Sequence, residues 1–282
     1  MKTQILFAVL SISIWHGVVP VAAQESPDLA KAAQNPVAAM ISLPFQNNTL
    51  FGVGPDDDGV ANVLNIQPVI PVTFGDWNLI NRTIAPISYI SDLSSGLPEL
   101  PADPQGDGSS FGLGDINHSV YFSPAGSGSV IWGFGPSLTF PTATERSLGS
   151  GKWSAGPAAV ALMMPGKWVV GSLVRQLWSF AGDDDREDVS QLLIQPFINY
   201  NMDGGWYLVS SPVITANWEA DSDDRWTVPI GGGVGRIFKV GGQPMNAQVQ
   251  TFYNVARPDF GPDWSIRFQL QFLFPKSAAR QP

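Results

Sequence analysis

The sequence predicts an all-β protein: a transmembrane antiparallel up-and-down β-barrel of about 12 strands, with short periplasmic turns and longer acidic outer loops. Three observations predict it. Apolar and polar residues alternate with period two, which puts successive side chains on opposite faces of a strand. The connections alternate short and long. Tryptophans stand at strand borders. Composition agrees: 14% of the 282 residues are charged and 44% hydrophobic, against about 25% charged in soluble domains. The 29 Gly and 24 Pro favour turns over long helices. With no Cys there is no disulfide framework, iron–sulfur cluster or thiolate nucleophile. A net charge of −9 argues against nucleic acid as a partner, because phosphates could not be neutralised in bulk.

The chain opens on an address. Lys2 is a short positive region, Ile5 to Ile14 an apolar one, and Val21-Ala22-Ala23 supplies short residues before a cleavage site at Gln24. Residues 1–23 are therefore expected to be a signal peptide. No later stretch has the roughly 18 consecutive apolar residues of a spanning helix. Residues 24–37 read as an N-terminal periplasmic or plug-like segment, with Ser26 as N-cap, Pro27 at the first helical position and a short helix following. Residues 38–274 are the barrel and 275–282 a tail.

Strands are expected at 38–50, 60–74, 77–88, 112–123, 130–142, 153–164, 168–180, 189–201, 206–218, 226–238, 245–255 and 264–274. The last is the clearest: Trp264, Ile266, Phe268, Leu270, Phe272 and Phe274 share one face, Ser265, Arg267, Gln269 and Gln271 the other. Neutral polar groups, where a wet sheet face would carry Lys and Glu, suit a lumen. Short links follow every even strand (75–76, 124–128, 165–167, 202–205, 239–243) and longer ones every odd strand (51–59, 89–111, 143–152, 181–188, 219–225, 256–263). Trp77, Trp168 and Trp206 directly follow short links; Trp153, Trp226 and Trp264 follow long ones, and Trp178 and Trp218 precede them. These are the levels at which a bilayer holds amphipathic rings.

Segments 31–49 (KAAQNPVAAMISLPFQNNT), 63–71 (VLNIQPVIP), 111–117 (FGLGDIN), 148–157 (LGSGKWSAGP) and 217–221 (NWEAD) carry a resemblance. They resemble a bacterial outer-membrane transporter family filed as putative meta-pathway of phenol degradation, some of whose members bear the label neuromedin U. The resemblance implies an outer-membrane barrel that moves small hydrophobic or aromatic compounds. It carries no catalytic or binding residue to particular positions.

Enzymatic chemistry is not expected. His118 is the only histidine after the signal, and adjacent strand residues point to opposite faces, so His118 and Ser119 cannot pair. Gly149 to Lys152 lacks the leading glycine of a P-loop, since position 146 is Arg. No metal site or cofactor is expected.

Lumen-lining candidates by parity are Arg82, Asp115, Asn117, Arg175, Gln191, Gln195, Asn199, Gln248, Gln250, Arg267, Gln269 and Gln271. A few arginines would bias such a pore toward anionic or polarisable solutes; the alternative is that these residues pair and fill the lumen. Twelve strands lie between packed eight-stranded barrels and open porins of 16–18. Gly133, Gly135, Gly231, Gly233 and Gly235 leave the inner wall bare, and the 25–37 segment could approach there. The acidic loops at 56–58, 183–188 and 219–224 are solvated, or bind divalent cations against an anionic leaflet. The expected partners are outer-membrane lipid and lipopolysaccharide, a small-molecule solute and the outer-membrane assembly machinery. The expected function is a channel for passive or facilitated uptake in the outer membrane of a Gram-negative bacterium. The alternative is a structural or surface-binding barrel with a blocked lumen.

Overall fold

The computed structural model describes residues 27–91, 109–126 and 128–275. The signal peptide, the Ser26 cap, most of the 89–111 loop and all of the tail but Pro275 lie outside these. Fifteen strand segments make twelve crossings. In chain order they are β1 (Ile41–Val53), β2 (Gly59–Ile66) with β3 (Val69–Phe74), β4 (Trp77–Ile90), β5 (Ser110–Leu113) with β6 (Ile116–Pro124), β7 (Val130–Phe140) and β8 (Lys152–Met163). There follow β9 (Trp168–Gly182), β10 (Ser190–Asn201), β11 (Trp206–Ser210) with β12 (Ile214–Asn217), β13 (Trp226–Val240), β14 (Gln243–Ala256) and β15 (Trp264–Phe274). A helix, α1 (Pro27–Ala33), precedes them.

Every pairing is antiparallel, and β1 closes on β15 from Ile41↔Phe274 to Phe51↔Trp264. Closure is what hydrocarbon demands, because an open edge would leave a row of backbone N–H and C=O groups without partners. Three crossings are broken where the sequence cannot sustain a ladder. At Gln67-Pro68 the pairing keeps its register: Gln67 N–H donates to the Pro44 carbonyl (2.9 Å) and the Pro68 carbonyl accepts from the Thr83 N–H (3.1 Å). The others fall at Gly114-Asp115 and Ser211-Pro212-Val213.

The alternation sorts faces as the sequence predicts. Trp264 (41% exposed), Phe268 (51%) and Phe274 (44%) point outward, while Arg267, Gln271 and Leu273 are buried inside. Trp77, Trp132, Trp168 and Trp206 stand toward the short-turn end, and Trp153, Trp178, Trp218, Trp226 and Trp264 toward the long-loop end. Trp168 and Trp178 bound β9 on the same face. Their separation of about 33 Å along the strand becomes about 23 Å at a tilt near 45°, close to the ~25 Å apolar band of an outer-membrane barrel.

The first long link departs from expectation. β1 and β2 run on to Val53 and Gly59, so the first long connection shrinks to 54–58. Gly52 (φ 73°) and Gly54 (φ 88°) take the left-handed conformation, and a bulge between Phe51 and Val53 tightens the turn.

Candidate functional site

Two cavities occupy the lumen. The one toward the long loops encloses about 930 Å³ of empty space, open solvent included, among Asn48, Tyr121, Arg175, Val213, Phe252 and Arg267. The one toward the short turns encloses about 980 Å³ among Asn199, Tyr207, Asn246, Gln248, Gln269 and Gln271. They share a ring of five residues from five crossings: Gln46, Gln67, Arg82, Leu173 and Gln195. Among the described residues no carboxylate lines either cavity.

Of the predicted lumen residues, Arg82, Arg175, Gln195 and Arg267 line the upper cavity. Gln195, Asn199, Gln248, Gln269 and Gln271 line the lower one, as Arg82 does. Asp115, Asn117, Arg175 and Gln191 border a third space of about 310 Å³ near the long-loop end. Gln250 is buried beside the cavities, its amide oxygen accepting from the Ser211 N–H at 3.0 Å. Arg82 and Arg175 both point inward.

Several of these groups are held by neighbours. Arg82 Nη2 donates to Gln67 Oε1 (2.8 Å). Arg267 donates from Nε to Asn48 Oδ1 (2.8 Å) and from Nη1 to the Ser211 carbonyl (2.7 Å), with its guanidinium 4.9 Å from the Phe252 ring centroid. Asp115 is a loop clamp: its carboxylate accepts from Ala143 N–H (3.1 Å), Ser150 N–H (2.7 Å) and Ser150 Oγ (2.9 Å). Asn117 fills one sector with Ser119, Ser137 and Thr139. The lumen is thus part open cavity and part polar packing.

Two of the bare-wall glycines are covered. A Cβ on Gly235 would lie 2.2 Å from the Tyr207 ring, whose hydroxyl donates to Asn246 Oδ1 at 2.7 Å. One on Gly133 would lie 3.3 Å from Val37. The inner wall there is therefore occupied, at Gly133 by the N-terminal segment itself. α1 sets Leu29, Ala30 and Ala33 against Tyr207, Val209 and Ile237. Lys31 Nζ donates to the Met164 carbonyl (3.2 Å), and the Gln34 and Asn201 amides pair reciprocally at 2.8 and 3.1 Å. Residues 32–36, with Ala38 and Met40, floor the lower cavity.

The long-loop end is narrowed as well. Leu148, fully buried, packs against Leu50, Val53, Ala61, Val63 and Ile90 of β1, β2 and β4, although its loop arises from β7 and β8. Arg186 from the next loop donates to the carbonyls of Arg146 (2.9 Å) and Gly149. Lys152 pairs with Asp188 at 3.3 Å, and Arg257 with Asp57 (3.1 Å) and Asp263 (3.0 Å). Some loop acids therefore meet bases. Among the described residues no group of three His, Cys, Asp or Glu could hold a metal ion.

His118 faces outward, its Nδ1 3.0 Å from Thr83 Oγ1, whereas Ser119 points inward. No Ser–His pair forms there. The sequence reading missed Gln46, Asn48 and Gln67. The run 46–49 is polar on both faces, and outward Asn47 bonds Asn62 (2.8 Å), so alternation gave no contrast. Gln67 keeps the inward parity of Val63 and Asn65, and stands beside Pro68 at the end of β2.

No family model and no curated protein matches the chain. Solved structures do. A crystal structure of an outer membrane channel from Pseudomonas putida F1 matches with TM-score 0.63 at 19% identity, over 85% of this chain and 96% of that one. The β-domain of the Bordetella autotransporter BrkA gives 0.45 at 11% identity, over 84% and 100%. A Pseudomonas aeruginosa FadL homologue gives 0.42 at 9%, over 86% and 93%. The first likeness places the chain in that channel's barrel fold.

Proposed function

We propose that this protein is an outer-membrane channel that passes small solutes through its lumen. The observation that carries this is the pair of cavities joined at one ring, lined by neutral amides and three arginines. A barrel closed only for stability would fill its interior with side chains and leave no connected open space. The lining suits small, polarisable or anionic molecules, and Arg82 is the one charged member of the shared ring. The resemblance to the phenol-degradation family, the channel of the same fold and the signal-like N-terminus support aromatic solutes and the outer membrane of a Gram-negative bacterium. In that setting outer-membrane lipid, lipopolysaccharide and the assembly machinery are the partners, the short turns face the periplasm and the acidic loops face outward.

Planar-bilayer conductance of purified protein tests the reading. Discrete channel openings are expected, and Arg82→Glu is expected to move the reversal potential toward cation preference. Liposome swelling with phenols, fatty acids and sugars then ranks solutes. A silent bilayer overturns the conduit. It would favour the second reading, a blocked barrel whose acidic loops do the work, for which residues 32–36 on the floor and Leu148 near the mouth speak.

A further inference from the structure

Three guanidiniums line the upper cavity, those of Arg82, Arg175 and Arg267, and among the described residues no carboxylate lines it. Arg267 is 5% exposed. A buried cation normally meets an anion, because losing its hydration is costly. Here the groups that hold two of the three are neutral. Arg82 Nη2 donates to Gln67 Oε1 at 2.8 Å. Arg267 donates from Nε to Asn48 Oδ1 (2.8 Å) and from Nη1 to the Ser211 carbonyl (2.7 Å). These bonds orient the two guanidiniums without cancelling their charge. Among the described residues nothing accepts from Arg267 Nη2, nor from Arg82 Nε or Nη1.

The chain has 24 acids and uses them elsewhere. At the long-loop end Lys152 meets Asp188 at 3.3 Å, and Arg257 meets Asp57 (3.1 Å) and Asp263 (3.0 Å). Arg175 also borders the space that holds Asp115. The charge left without an acid is therefore that of Arg82 and Arg267. The rest of the cavity's lining is in good part apolar, with Val63, Ile84, Leu193, Val213 and Phe252. The Phe252 ring centroid lies 4.9 Å from the Arg267 guanidinium, so cationic donors and an apolar wall adjoin.

We infer that the upper cavity is a binding station for a small organic carboxylate, aromatic or short aliphatic, whose charge Arg267 and Arg82 take and whose apolar body lies against Ile84, Leu193, Val213 and Phe252. The inference rests on the channel reading and names its solute class. A guanidinium presents paired N–H donors that fit the two oxygens of a carboxylate. An inorganic anion would meet the charge and leave the apolar wall against water. An uncharged aromatic would cover the wall and leave the charge unmet. Arg267 lines the upper cavity only, whereas Arg82 lines both cavities. Arg267 therefore takes the carboxylate first, and Arg82 receives it at the shared ring on the way to the short turns.

Titration calorimetry of the purified protein at neutral pH tests this with three probes: benzoate, benzyl alcohol as its uncharged counterpart, and inorganic phosphate. Saturable binding of benzoate is expected, about tenfold tighter than that of benzyl alcohol or of phosphate. Arg267→Gln is expected to cut the preference for benzoate over benzyl alcohol about tenfold. If that variant does not give a heat-modifiable barrel, Arg82→Gln takes its place with the same expectation. Benzoate that does not saturate, benzyl alcohol or phosphate that binds as tightly, or a preference that survives the substitution overturns the carboxylate station. Conductance of the same preparation separates the two failures. A conducting protein that does not bind benzoate loses only the station, whereas a silent one that binds it loses the conduit and keeps the station.

Discussion

Asp115 shows what a single buried carboxylate does in this lumen. It arises at the break between β5 and β6 and accepts three hydrogen bonds from the loop that carries Leu148. Asp115→Ala would strand two backbone N–H groups and a hydroxyl in a buried place. The expected loss is roughly 2–4 kcal/mol, read as a lower denaturant midpoint by tryptophan fluorescence. Asp115→Asn should recover part of it, since one amide oxygen still accepts. Asp115 is buried, and parity says nothing of these partners, which lie 28 and 35 residues away. The same holds for Arg267, whose bond to Asn48 spans 219 residues. Period two reports which side of the wall a group is on and nothing about what stands opposite.

At the scale of elements, two pieces that are not barrel strands narrow its ends. The loop after β9 is tied by Asp188, whose carboxyl is held below its usual value of 3.8 by hydrogen bonds from Ser179 and Lys152 and by the charge of Lys152. A lowered folded pKa means that this contribution is present above the unfolded pKa and is lost as pH falls through the folded one. Asp188 is 73% exposed, so the effect is local and small. Proteolysis within 183–189 should accelerate as pH falls below the ordinary carboxylate range, and Asp188→Asn should remove that dependence. At the other end, α1 and the residues after it rest on the inner wall through the Gln34–Asn201 amide pair and Val37. A disulfide between Gln34→Cys and Asn201→Cys should hold conductance low until it is reduced, and deletion of 25–37 should leave it high throughout. Equal currents from the crosslinked, the reduced and the deleted protein would remove the floor from the proposed path. The helix was legible from Ser26-Pro27 and the alanines. Its seat was not, because Gly133 and Gly235 announce only that something comes close.

Over the whole molecule, the two tryptophan levels predict how the protein sits in a bilayer. Bromines near the headgroups should quench the intrinsic fluorescence more than bromines at the acyl ends, because the indoles stand at the borders of the apolar band. Stronger quenching from the acyl ends would contradict the girdles. Between those levels the outer wall is largely apolar; Asn47 bonds Asn62 and Thr83 bonds His118, while Asn81 donates to the Ile70 carbonyl and Ser172 to the Leu173 carbonyl. By itself, the sequence determined the number of crossings, the outward face of each and the alternation of links. Side-chain period, turn residues and the cost of unpaired backbone in hydrocarbon are local or generic, and together they leave a closed cylinder as the answer. Only the tertiary structure decided what fills that cylinder. Which groups meet across a lumen depends on strand tilt and stagger summed around the barrel. The five-residue ring, the floor laid by the N-terminal segment and the bonds that hold Ser211 to Gln250 and Arg267 all arise from contacts between distant parts of the chain.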